Sequence, residues 1–206
     1  MGGAPVTLAD FNETIMGGGT IGGGGLKLNN EAGGIINATG VTPLVIDTGA
    51  STVVNAGSMM ATSGSTLVIG SNLSNTGKLN ANGGTIVVEG TETGGSAVIS
   101  GTGVVEFDAA ATAGTTFASS STGELILDDP AQYSGTVAGF GVNTRIDLPN
   151  FGATGAHATS YAGGVLTLTN TAGQTVKIKI SGTSPWSARP RLPRSRPIWW
   201  PRRCRP

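Results

Sequence analysis

Residues 65–107 read STLVIGSNLSNTGKLNANGGTIVVEGTETGGSAVISGTGVVEF, and the spacing inside this stretch decides the fold. Three short β-branched runs, LVI at Leu67, IVV at Ile86 and VVEF at Val104, begin 19 and 18 residues apart. Gly, Asn, Ser and Thr fill the gaps. Short β-branched runs bounded by turn residues read as strands, and no 3.6-residue period competes with them.

The same kind of run recurs outward from this stretch at Leu26 (LKL), Leu44 (LVI), Leu125 (LIL), Arg145 (RIDL) and Val165 (VLTL). Eight runs then follow one another at intervals of 18 to 23 residues. Weaker runs fall about midway between them, as IIN at Ile35, TVVN at Thr52, AVI at Ala97, TTF at Thr115, TV at Thr136 and VKIKI at Val176. A period of about 20 residues with two or three short strands per repeat predicts a solenoid whose coils stack at the inter-strand distance. The expected fold is therefore all-β, a parallel β-helix of about eight coils. The repeat domain is expected over residues 16–183, with 1–15 as an N-terminal edge or cap segment. The one helical turn the sequence admits lies around Leu8–Ile15. A β-sandwich also has strands every 8–12 residues. With aromatic residues at only 5%, few two-residue hairpin signals, and strong and weak strands alternating at fixed phase, the solenoid is the better reading.

Composition agrees with a narrow core. The chain of 206 residues contains 35 Gly and 38% apolar residues, but few side chains large enough to fill a thick interior. Its zero net charge hides two segments. Residues 1–183 hold all twelve acids against five basic residues (Lys27, Lys78, Arg145, Lys177 and Lys179), a net −7 that disfavours nucleic acid as a partner. Residues 184–206 hold seven Arg, six of the ten Pro, all three Trp and the only Cys, with no Gly and no acid. A basic segment with Trp199-Trp200 suits a membrane surface or nucleic acid, but six prolines preclude a regular helix. The abrupt change is better read as a tail of different origin, a shifted reading frame or gene artefact. Restoring the frame in the source DNA tests this: without a continuing β-repeat the idea fails.

The first ten residues carry neither a basic nor an apolar region, so they are not a signal peptide. No run of 18 apolar residues exists. One thiol, Cys204, cannot form a disulfide within the chain. His157 is the only histidine, and a catalytic triad or zinc site needs partners it lacks, so it reads as an exposed loop residue.

The acids offer one sharper arrangement. If Ile86/Val88, Val105/Phe107 and Leu125/Leu127 turn inward, then Glu89, Asp108 and Asp128 take the same position on successive coils. Carboxylates stacked about 4.8 Å apart repel unless they are solvated or bridged by a cation such as Ca²⁺. A solvated corner is the simpler reading of the three, and the calcium nonapeptide of β-rolls is missing from the sequence. Glu106, Glu124 and Asp147 read as ordinary outward charges. No catalytic residue and no cofactor is expected. The rival from another class is a polysaccharide-degrading β-helix enzyme, but Asp128-Asp129 face opposite ways in a strand and specify no facing carboxylate pair.

GGTIVVEG (Gly83–Gly90), STLVIGSNLSNTGKLNANGGT (Ser65–Thr85) and AVISGTGVVEF (Ala97–Phe107) resemble the degenerate repeats of autotransporter passengers and large adhesin-like exoproteins. Asp129-Pro130, Ser134–Val137, Ile146–Leu148 and Gly163–Leu168 resemble, in order, the terminal repeats of such proteins. The resemblance covers residues 16–182 and implies a right-handed coil, with export to the cell surface or medium. The full-length protein would be anchored in the outer membrane. The implied role is structural or adhesive, with host or neighbouring-cell glycans or proteins as partners and no catalysis. The membrane would be contacted only through a translocator barrel, whose strands this sequence lacks.

Overall fold

Alternation along each run decides which residues turn inward. In Thr66–Ile69, Leu67 and Ile69 are buried while Thr66 and Val68 are half-exposed; Thr85–Val88 and Val104–Phe107 repeat the pattern. Side chains two apart on a strand share a face. Each run can therefore be buried on only one side, and coils must stack to cover the backbone edges.

A computed structural model describes residues 5–152 and 157–182, with side chains at 157–159 not described. Three parallel sheets run along the stack. The first contains Val6–Asp10, Leu26–Asn30, Val53–Asn55, Leu73–Asn75 and Glu92–Thr93. The second runs from Thr14–Gly17 through Ile35–Ala38, Ser58–Thr62, Lys78–Asn82, Ser96–Ser100 and Gly114–Phe117 to Thr136–Ala138. The third holds Gly19–Gly22, Leu44–Asp47, Thr66–Ile69, Thr85–Val88, Val104–Phe107, Glu124–Leu127 and Arg145–Asp147. The chain visits the sheets in rotation, so the fold is a β-solenoid of about 7 turns at intervals of about 20 residues.

Two of the eight periodic runs do not belong to the third sheet. Leu26–Asn30 pairs in the first sheet, and Val165–Thr169 pairs antiparallel between Thr175–Ser181 and His157–Ala162. Thr175–Ser181 joins the second sheet beside Thr136–Ala138. The last described part of the chain, residues 157–182, thus extends one sheet instead of winding an eighth coil. The expected turn around Leu8–Ile15 is absent as well. Val6–Asp10 pairs with Leu26–Asn30, and Thr14–Gly17 pairs with Ile35–Ala38. The one helical element among the described residues is a 3₁₀ turn at Pro130–Gln132.

The bore is lined by stacked aliphatics. Leu28, Val53 and Leu73 line the first sheet; Ile36, Met59, Leu79 and Ile99 the second; Ile46, Ile69, Val88 and Leu127 the third. Burying each such side chain favours folding by about 1.5–3 kcal/mol, set against the conformational entropy of ordering it. Close packing at the corners demands glycine. A Cβ on Gly57 would collide with the carbonyl oxygens of Glu31 and Gly34, and one on Gly77 with the Gly57 carbonyl.

Candidate functional site

Two rows of polar side chains run along the stack, one outside the bore and one within it. The outer row follows from the register of the third sheet. Val88, Phe107 and Leu127 are aligned partners, so Glu89, Asp108 and Asp128 follow at one corner. Their backbone amides donate to Ile69, Val88 and Phe107 carbonyls at 3.0, 3.1 and 3.0 Å, which keeps the three in line.

The side chains group differently from the sequence expectation. Carboxylate oxygens of Glu106, Asp108 and Asp128 all lie within 4.8 Å of one another. Glu89 leans toward the previous coil, where its Oε2 would be 3.3 Å from a Cβ on Gly70. Glu106 was read as an ordinary outward charge. It joins the group because it stands two residues before Asp108 on the same face, a relation visible in the sequence.

The group is electrostatically unfavourable. Burial raises the Glu106 carboxyl above its ordinary range, and Asp108, Asp128 and Glu124 raise it further. Asp108 is raised first by burial, then by Asp128 and Glu89. One oxygen each of Asp108 and Asp128 is covered and has no hydrogen-bond partner. Glu124, in the same sheet, is paired with Arg145 at 2.7 Å, and Arg145 itself is 70% exposed. Oxygens bound to one Ca²⁺ lie at most about 5 Å apart, so these three atoms fit around such an ion, which takes its other ligands from water.

The inner row belongs to the first sheet. Asp10, Asn30, Asn55 and Asn75 are register partners on four successive coils. Asn30 Nδ2 donates to Asn55 Oδ1 at 2.7 Å, and Asn55 Nδ2 to Asn75 Oδ1 at 2.9 Å. All four residues are almost fully buried. Each amide is both donor and acceptor, so stacking one per coil lets neighbours in the row bond one another, leaving Asn30 Oδ1 and Asn75 Nδ2 unpaired at its ends.

Glu92 follows on the next coil, at the inward position that Leu28, Val53 and Leu73 hold before it. It is 0% exposed, and its Oε2 accepts from the backbone amides of Thr112 and Ala113 at 3.0 and 2.8 Å. The first sheet has narrowed here to the single bridges Glu92–Ala111 and Ala111–Tyr133, and the carboxylate supplies acceptors in place of strand pairing. Gly94 and Gly95, at φ 86° and 60°, turn the chain away. Burial raises the Glu92 carboxyl, while the Thr112 and Ala113 amides and the Asn75 side chain hold it down. Tyr133, stacked on Phe107 at 6.2 Å, bonds the Ala113 carbonyl at 3.0 Å. Burial pushes its phenol up to about 12, so it stays neutral.

Neither the inner row nor Glu92 was anticipated, although the sequence carries a signal. Val53-x-Asn55-x-Gly57 and Leu73-x-Asn75-x-Gly77 share one pattern, with Leu28-x-Asn30 and Leu8-x-Asp10 as partial copies. His157 begins a strand, but its side chain lies outside the described residues, as do Cys204 and the whole of 184–206. Comparison of the chain with protein-family models, curated proteins and solved structures gives no match.

Proposed function

We propose that the chain is a non-catalytic scaffold, a rod segment of a bacterial surface-exposed or secreted protein that presents its outer faces to glycans or proteins of other cells. The observation that carries this reading is the use of polar groups. The asparagines and Glu92 are spent inside the bore on joining coil to coil. The resemblance of residues 16–182 to autotransporter passengers and adhesin-like exoproteins supports the surface location.

The second reading, a polysaccharide-degrading enzyme, is favoured by one feature: Glu106 and Asp108 are raised carboxyls beside other acids, as in an acid–base pair. Spacing weighs against it. Catalytic carboxyl pairs stand about 5–9.5 Å apart with sugar or water between them. The oxygens here are within 4.8 Å and crowd one corner.

Incubation of the purified chain with cell-wall polysaccharides and whole cells separates the two readings. Retention on cells or glycans with no new reducing ends supports the scaffold. Reducing-end release that disappears in Glu106→Gln overturns it in favour of the enzyme.

A further inference from the structure

Four covered polar atoms without partners sit at the two ends of the asparagine row. They are Asp10 Oδ2 and Asn30 Oδ1 on the first two coils, and Asn75 Nδ2 and Glu92 Oε1 at the other end. Asp10 and Asn30 are register partners, like the hydrogen-bonded asparagines beyond them. Both crowd Gly34, where a Cβ would strike Asn30 Oδ1 and lie 2.9 Å from Asp10 Cγ. The Asn75 side chain reaches Glu92 closely enough to favour its charge, although the pair stops short of a well-formed hydrogen bond.

The direction of the row is set by contacts outside it. Asn30 Nδ2 also donates to the Ser58 carbonyl at 3.3 Å, and Asn75 Oδ1 accepts from the Gly77 amide at 3.1 Å. Such partners are what distinguish amide oxygen from nitrogen. Every donor in the row therefore points from Asp10 toward Glu92. The Asp10 end lacks a donor and the Glu92 end lacks an acceptor. An ionised carboxylate only accepts, whereas a protonated one also donates.

We propose that Asp10 folds protonated and Glu92 folds ionised, so that one continuous row of hydrogen bonds runs through the bore from Asp10 by way of Asn30, Asn55 and Asn75 to Glu92. Asp10 Oδ1 already accepts from the Glu13 amide at 3.1 Å, which leaves Oδ2 to carry the proton toward Asn30. Glu92 Oε2 is held by two backbone amides, which leaves Oε1 for Asn75. Burial favours the proton on Asp10; it also raises the Glu92 carboxyl, and there the Thr112 and Ala113 amides and the Asn75 side chain work against that rise by favouring the charge. Asp10 is 3% exposed, and burial is the largest influence raising its carboxyl; the Glu13 carboxylate adds to the rise, and backbone amides of Glu13 and Ile35 oppose it. Glu92 is surrounded by Asn75, the Thr112 and Ala113 amides and the neutral Tyr133. No cation contributes to the shift of either carboxyl.

Carboxyl-carbon NMR of the full chain through a pH titration tests the assignment. The expected result reverses the usual order of an aspartate and a glutamate: Glu92 loses its proton first and Asp10 later, above the ordinary carboxyl range. Asp10 titrating within or below that range, or ahead of Glu92, overturns the proposal. Thermal melts of Asp10→Asn give a second readout. A raised folded pKa stabilises below the unfolded value and is lost as pH rises through the folded one. The amide is a permanent donor to Asn30 Oδ1, so Asp10→Asn should melt about 2–4 °C above the parent at alkaline pH, with the gap closing on acidification. A variant that melts below the parent throughout overturns the proposal.

Discussion

The inner row and the outer row use the same spacing to opposite effect. Asn30, Asn55 and Asn75 stack within the bore of the first sheet and bond one another at 2.7 and 2.9 Å. Outside the third sheet Asp108 and Asp128 stack on successive coils, with Glu106 beside Asp108 on its own coil, and the three only repel. Stacking multiplies whatever one residue does to its own copy. An amide complements itself when translated by one coil, and a carboxylate does not. This explains why the amide row is buried while the acid row stays half-exposed, where water attenuates the repulsion.

Removing the centre of the inner row should cost most. Asn55→Ala deprives both Asn30 Nδ2 and Asn75 Oδ1 of a partner inside the bore, and a loss of about 3 kcal/mol is expected in denaturant unfolding. A loss under about 0.5 kcal/mol would mean that the row does not hold the coils. Gly77→Ala tests the corner beside it. The added methyl meets the Gly57 carbonyl and lies 2.7 Å from the Ala56 carbonyl carbon, so overpacking should cost about 1–3 kcal/mol.

On the outer row the sign reverses. Asp108→Asn removes one member of the repelling group and should stabilise by about 0.5–1 kcal/mol at pH 7.5, discounted for partial exposure. Its pH dependence follows from the raised carboxyls. Glu106 and Asp108 bind protons more readily folded than unfolded, so stability is fully present below the unfolded value and falls as pH rises through the folded one. The parent should therefore melt higher at pH 5 than at pH 8, and Asp108→Asn should flatten that slope. The smallest effect belongs to Arg145→Ala. Arg145 is mostly in solvent although Glu124 is only 15% exposed, and a change within about 0.5 kcal/mol is expected in the same unfolding assay.

These differences also explain what was legible in the sequence. The third sheet stands out because its inward positions, such as Leu67/Ile69 and Ile86/Val88, are large and apolar. The alignment of Glu89, Asp108 and Asp128 could be read from them, since register fixes backbone position. Where the side chains lean was not readable: Glu89 turned back toward Gly70, and Glu106 took its place. The first sheet was largely hidden. Leu73–Asn75 reads LSN and Glu92–Thr93 reads ET, too short and polar to look like strands. Asparagine beside glycine normally marks a turn. Here Asn55 and Asn75 are the last residues of buried strands, and Gly57 and Gly77 make the corner just after them. The eighth run misled because Val165–Thr169 has a coil's composition but pairs antiparallel, and periodicity does not report strand direction.

Hydrogen exchange of the asparagine side-chain amides, followed residue by residue by NMR, tests most directly whether polar groups join the coils from within. Nδ2 protons of Asn30 and Asn55 should exchange only with global unfolding, far more slowly than those of the exposed Asn12. Exchange of Asn30 and Asn55 at the rate of Asn12 would show that the row does not form, and the reading of the bore built on it would fall.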